Sequence, residues 1–198
     1  MAALLFCGPA AARPLKLVAF GDSLTAGYGL PAGQAFPDVL ARVLKAKGWD
    51  VEVVNAGVSG DTVADGLARF DWSVPDGADA IIVELGANDM LRGADPAATE
   101  TTLSHILAKT RDAHLATLLA GMVAAPNYGA DYKRRFDAIY PELAQKFDVT
   151  LYPFFLEGVA GNRPLQLGDG LHPNRTGVER VVEGILPSVE AVLAQAKR

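Results

Sequence analysis

Residues 15–29 read LKLVAFGDSLTAGYG. The first six are a strand-prone apolar run broken only by Lys16, and it halts at Gly21, Asp22 and Ser23, residue types that turn a chain and cap helices. A buried strand that ends in a turn opening a helix-like segment is the unit from which parallel sheets are built. Ser23 has two candidate roles there: to start the next element, or to react.

Working outward, four more short apolar stretches recur: VEVVNA (51–56), ADAIIVEL (78–85), ATLLAGMV (116–123) and VTLYPF (149–154). Their apolar continuity predicts strands buried on both faces. Amphipathic segments lie between them, including Phe36 to Lys47, Pro96 to His114, Tyr132 to Phe147 and Arg175 to Ala196. The alternation predicts an α/β fold, a three-layer sandwich with a five-stranded parallel sheet wrapped by helices. Ligands in such folds gather beyond the carboxyl ends of the strands. GDS follows the first strand, GVSGDT the second, GANDM the third and APNYG the fourth, while GDGLHP lies between the fifth strand and the last helix. All of these loops are expected on one rim.

A chain of 198 residues, half of them hydrophobic, suits one domain with a sizeable core, read as residues 14–198 behind a tail of residues 1–13. A net charge of -5, with Lys133 to Arg135 as the densest basic cluster, argues against a nucleic-acid partner. Cys7 is the single cysteine, which excludes an intrachain disulfide or a multi-cysteine metal site. The opening MAALLFCGPAAARP carries a short apolar run, then Ala10 to Ala12 in the small-residue pattern of a signal-peptidase site, but no Lys or Arg precedes the run. It is too short to span a bilayer, so stable membrane insertion is not expected. The segment reads as the remnant of a secretion signal, which implies a periplasmic or secreted protein, or as a tail on a cytoplasmic one.

A serine hydroxyl is a poor nucleophile until a base accepts its proton, and the histidines decide where that base is. His105 and His114 fall in the segment 96–114 and read as structural. His172 follows a Gly-rich loop, three residues after Asp169, between Leu171 and Pro173 and just before the last helix. An Asp and a His so spaced on a tight turn can bond through Nδ1, leaving Nε2 free to face a serine; equally, Asp169 could merely cap the turn. Ser59 in GVSGD rivals Ser23 as nucleophile, and neither lies in a G-x-S-x-G elbow. Asp61 reads as a helix N-cap and Ser59 as structural, while Asp22, too close to Ser23 to be the obvious triad acid, is assigned to shaping the turn. Acyl transfer also needs donors aimed at the developing oxyanion. Gly60, with no side chain in the way, and the Asn88 amide are candidates, although Asn88 also suits a plain turn.

In order and spacing, FGDSLTAGYG, NAGVSGDT, VELGANDM and DGLHPN resemble the four blocks of the SGNH (GDSL) hydrolase family, across nearly the whole chain. The resemblance implies that Ser23 is the nucleophile and an oxyanion donor through its N–H, that Gly60 and Asn88 complete the hole, and that Asp169 and His172 complete the triad. Gly57 competes for the glycine role, but Gly60 matches the glycine of the S-G-D-T turn. The wider run, including LRG (91–93), APNYG and FDAIYPELAQKFDV, is similar to the bacterial branch of small arylesterases, acyl thioesterases and lysophospholipases. A flavodoxin-like five-stranded sheet and hydrolysis of a small-molecule ester or thioester through an acyl-enzyme are implied, with no metal or organic cofactor. Met90, Leu91 and Arg92, and Pro126, Asn127 and Tyr128, are the substrate-lining candidates, with packing the competing role for Tyr128. The segment FFLEGVAGNRPLQLGDG is expected to form the remaining wall, with glycines that let it move. Two other readings stay open: a carbohydrate O-deacetylase of the same family, and a non-catalytic flavodoxin-like binding module. GDSLTAG is neither G-x-G-x-x-G nor a P-loop, which argues against nucleotide binding.

Overall fold

The structure is a computed structural model and describes residues 13–197. The predicted tail, Cys7 included, lies outside the described residues except for Arg13, whose guanidinium makes two 2.7 Å hydrogen bonds to the Asp79 carboxylate. In chain order the elements are β1 (Leu15–Gly21), α1 (Ser23–Ala26), α2 (Phe36–Ala46), β2 (Val51–Gly57), α3 (Val63–Ser73), β3 (Ala80–Glu84), α4 (Ala87–Leu91), α5 (Pro96–Asp112), β4 (Ala116–Ala120), α6 (Ala130–Phe147), β5 (Thr150–Tyr152) and α7 (Arg175–Ala196). The strands form one five-stranded sheet in the order β2-β1-β3-β4-β5, parallel throughout. That is the expected α/β class.

Right-handed crossovers dictate where the helices go. The step from β1 to β2 runs one way along the sheet and every later step runs the other, so α2 falls on one face and α3, α5 and α6 on the opposite one. The packing agrees: α2 lies against α7, α3 against α5, and α5 against α6. The reversal makes a switch point between β1 and β3, where ligand crevices open in such sheets. Ser23, directly after β1, and Asn88, in α4 after β3, both emerge there.

Only β3 is buried along its whole length. The prediction that all five strands are buried on both faces is corrected at the sheet edges, where β2 exposes Glu52 and Asn55 and β5 is half-buried, because each has a neighbour on one side only. Helix α3 begins at a capping box: Thr62 Oγ1 accepts from the Asp65 N–H at 3.3 Å, and the Thr62 N–H donates to the Asp65 carboxylate at 3.0 Å. Thr62 is therefore the N-cap, not Asp61, which turns inward. His105 is exposed on α5, and His114 is exposed beyond its end with φ at 56°, at the amino edge of the sheet and away from the switch point. Among the described residues no helix is long and apolar enough to cross a membrane.

Candidate active site

The loop after β1 is a single helical turn held by its own aspartate: Asp22 Oδ1 accepts from the Leu24 N–H at 3.0 Å, as expected of a turn-shaping residue. This presents the half-buried Ser23 toward the loop that precedes α7. Ser23 Oγ lies 2.9 Å from His172 Nε2, and His172 Nδ1 lies 2.6 Å from Asp169 Oδ2, although Ser23 and His172 are 149 residues apart. A carboxylate facing Nδ1 fixes the proton on that nitrogen, which leaves Nε2 as the acceptor for the serine hydroxyl.

Asp169 fills both roles weighed for it. Its Oδ1 accepts from the backbone N–H groups of Leu171 at 2.9 Å and His172 at 3.1 Å, capping the turn, while Oδ2 holds the imidazole. The Leu171 N–H, then the His172 hydrogen bonds, draw its pKa down to about 2. Below the turn runs a set of contacts that the sequence reading missed. Leu167 N–H donates to the His172 carbonyl at 2.8 Å, Gln166 Nε2 to the Gly170 carbonyl at 2.9 Å, and Asn174 Nδ2 to the carbonyls of Pro164 and Gln166 at 2.9 and 3.2 Å. Much of the wall expected to move is thus tied to the turn that carries His172, and its Phe155 and Val159 are buried in the core.

Beneath Ser23 lies a buried polar layer. Arg69, on α3, donates through Nε to Asp61 Oδ2 at 2.5 Å, through Nη1 to the Ala56 carbonyl and through Nη2 to the Gly21 carbonyl, both at 2.9 Å. Its guanidinium also stacks 4.2 Å from the centroid of Phe20. One side chain thereby clamps the ends of β1 and β2 to the loop before α3. Asn88 donates through Nδ2 to Asp22 Oδ2 at 3.0 Å and to the Asp61 carbonyl at 2.9 Å, so both amide hydrogens have partners. Burial lifts the Asp22 pKa to about 6, against the opposing pull of the Leu24 N–H, the His172 charge and the Asn88 amide. Glu84, at the end of β3, is wholly buried and accepts from the Thr25 hydroxyl at 2.7 Å. Burial, then the nearby Asp22 charge, push its pKa well above the carboxylate range. It fits only because the facing residue is Gly21, where a Cβ would sit 2.5 Å from Oε2.

The two glycines of the second motif differ in kind. A Cβ on Gly57 would lie 2.3 Å from the Ala26 nitrogen, so this glycine serves close packing of the first two loops. Gly60 has φ at 91° and nothing within 4 Å of where a Cβ would be, and its carbonyl accepts from Arg92 Nη2 at 2.8 Å. Of the substrate-lining candidates, Met90 is half-buried against the core, Leu91 is 47% exposed, and Pro126 and Asn127 are exposed in a short turn after β4. Tyr128 stacks on Tyr132 at 5.2 Å and donates to the Leu91 carbonyl at 3.3 Å, so it packs and also ties the loops after β3 and β4 together. Tyr28, not singled out from sequence, lies over His172 with ring centroids 4.6 Å apart.

Residues 19–180 match the model of the GDSL-like Lipase/Acylhydrolase family. The chain is similar to Esterase TesA of Pseudomonas aeruginosa, 38% identical over 194 residues that cover 98% of this chain and 96% of that protein. It is also similar to Thioesterase 1/protease 1/lysophospholipase L1 of Escherichia coli, 43% identical over 166 residues, 83% of this chain and 78% of that protein. Among solved structures, AlinE4, an SGNH-hydrolase family esterase, matches with a TM-score of 0.78 at 45% identity, over 93% of this chain and 99% of that one. A likeness first read in four short motifs thus extends over nearly the full length of sequence and fold, and the chain belongs to the GDSL-like lipase/acylhydrolase family.

Proposed function

We propose that the protein hydrolyses carboxylic esters or thioesters of small molecules through an acyl-enzyme on Ser23. The observation that carries this reading is the unbroken line of hydrogen bonds from Ser23 Oγ through the His172 imidazole to the Asp169 carboxylate. As Ser23 Oγ attacks the carbonyl carbon, its proton passes to His172 Nε2, and the imidazolium is held by the Asp169 anion. His172 then gives that proton to the leaving oxygen or sulfur as the bond to it breaks. Water enters, loses a proton to the same nitrogen, attacks the acyl carbon, and Ser23 takes the proton back as the acid departs.

The oxyanion is met by the N–H groups of Ser23 and Gly60 and by Asn88 Nδ2. Gly60 suits the role because the space beside it is open. Asn88 already gives one hydrogen to a carboxylate and one to a neutral carbonyl. A developing oxyanion is the stronger rival of the neutral carbonyl, so the hydrogen on Asp61 is the one that turns to it, while Asp22 keeps the amide anchored. We assign Leu91 and Tyr128, joined by the Tyr128 hydroxyl, to the acyl side of this arrangement. The relatives named esterase and thioesterase/lysophospholipase favour acyl ester chemistry over carbohydrate deacetylation.

Purified protein is expected to hydrolyse short-chain p-nitrophenyl esters, and Ser23→Ala to lower kcat by about 10⁴-fold or more with an unchanged melting temperature. Undiminished turnover in that variant overturns the assignment.

A further inference from the structure

Tyr28 is 54% exposed, yet its place is closely specified. The ring centroid lies 4.6 Å from that of the His172 imidazole, with the planes inclined by 38°. The backbone on both sides is pressed down. Gly27 and Gly29 have φ of 85° and 71°, values that L side chains rarely adopt; a Cβ at Gly27 would meet the Ala35 Cβ at 2.5 Å, and one at Gly29 would meet Leu167 Cδ1 at 2.8 Å. The Tyr28 N–H donates to the Ser23 carbonyl at 3.1 Å. The loop therefore packs flat before and after Tyr28 and leaves its ring standing at the rim, beside the nucleophile and the base. Leu171, 50% exposed and directly before His172, adds apolar surface from the turn that carries the base.

The chemistry says what would lie against that ring. His172 Nε2 must reach the leaving atom at about 3 Å to protonate it. In the reading above the oxyanion faces Asn88 and the acyl chain is assigned to the side of Leu91 and Tyr128. The leaving group is thus the part of the substrate nearest the imidazole, and the ring over the imidazole is its neighbour. We propose that Tyr28 is a specificity-determining residue that stacks flat aromatic leaving groups, so that aryl esters are preferred over alkyl esters of the same acid. This rests on the esterase reading above.

Steady-state kinetics on phenyl acetate and trifluoroethyl acetate, which share an acyl group, test it in the wild type, Tyr28→Ala and Tyr28→Phe. The expected result is that Tyr28→Ala lowers the phenyl-to-trifluoroethyl selectivity about fivefold, chiefly through KM for the aryl ester, since an aromatic pair contributes a factor of about two to ten. Tyr28→Phe should restore the selectivity, because the ring and not the hydroxyl does the stacking. Equal losses on both esters with a displaced pH profile would make Tyr28 a prop for His172 and overturn the proposal. Binding of 2-naphthol to wild type and Tyr28→Ala, followed by calorimetry, needs no turnover: weaker binding to Tyr28→Ala supports the platform, and equal binding overturns it. Failure of the esterase reading is separate, since the wild type would then cleave neither ester.

Discussion

Asp22 and Asp169 flank the Ser23–His172 pair, Asp22 next to the serine in sequence and bonded to Asn88, Asp169 bonded to the imidazole, and their surroundings drive them in opposite directions. Asp169 sits on an exposed turn, yet two backbone N–H groups and the imidazole hold its pKa at about 2. Asp22 is fully buried, and although it accepts from the Leu24 N–H and the Asn88 amide, burial wins and its pKa stands at about 6. The number of donors aimed at a carboxylate, weighed against the water it loses, decides its charge. Pairs of like groups pushed apart in this way mark the division of labour in a site. Asp169 is an anion across the whole neutral range and suits the orienting of His172, while Asp22 belongs to the buried scaffold that aims Asn88.

The sharpest way to break this contrast is to remove charge from the exposed member. Asp169→Asn should lower kcat on the order of 10⁴-fold with a much smaller cost in stability, because the amide oxygen can still cap the turn but no longer carries the charge that fixes the Nδ1 proton. A loss below tenfold in steady-state kinetics would move the orienting role elsewhere. The buried layer should respond in stability as well as rate. Arg69→Ala strands Asp61 without its partner and is expected to cost about 3–5 kcal/mol in denaturant unfolding, since breaking a buried pair leaves an uncompensated charge. A cost below about 1 kcal/mol would show that the layer is not held by this ion pair.

The smallest effect is a slope with pH. Asp22 binds its proton more tightly in the folded than in the unfolded chain, so stability contributed by this group falls as pH rises from the ordinary aspartate value near 3.8 to about 6, by on the order of 3 kcal/mol. Asp169 acts with the opposite sign in a separate window: its contribution is present above the ordinary value and is lost as pH falls toward 2. Melting curves of wild type and Asp22→Asn between pH 4 and 7 should therefore diverge in slope, with the wild type the steeper. Parallel curves would contradict the raised pKa of Asp22.

Much of the candidate site is legible in the sequence. Apolar runs ending in Gly, Asp, Ser or Asn marked strand ends, and the Asp169–His172 spacing fits one tight turn. The failures fall where a side chain's partner lies far along the chain. Asp61 and Thr62 are adjacent polar residues and either could cap α3; Arg69, eight residues further along the chain, draws Asp61 inward and leaves the cap to Thr62. Glu84 passes unremarked inside the run 78–85, and only the register opposite Gly21 makes a buried slot for its carboxyl. Gly57 and Gly60 are separated in the sequence only by the S-G-D-T match, and the approach of Ala26 to Gly57 gives the physical difference.

By itself, then, the sequence determined the order of strands and helices, the polar loops that follow the strands, and the candidate residue types in them, because these follow from local periodicity, turn preference and short spacing. The tertiary structure alone decided that β1 and β3 lie side by side at the switch point and that Ser23 meets His172. It also sealed one aspartate in the interior beneath the site while leaving the other at the surface. Those outcomes depend on which elements pack together, and packing sets both the distances across which protons move and the water that each charge retains.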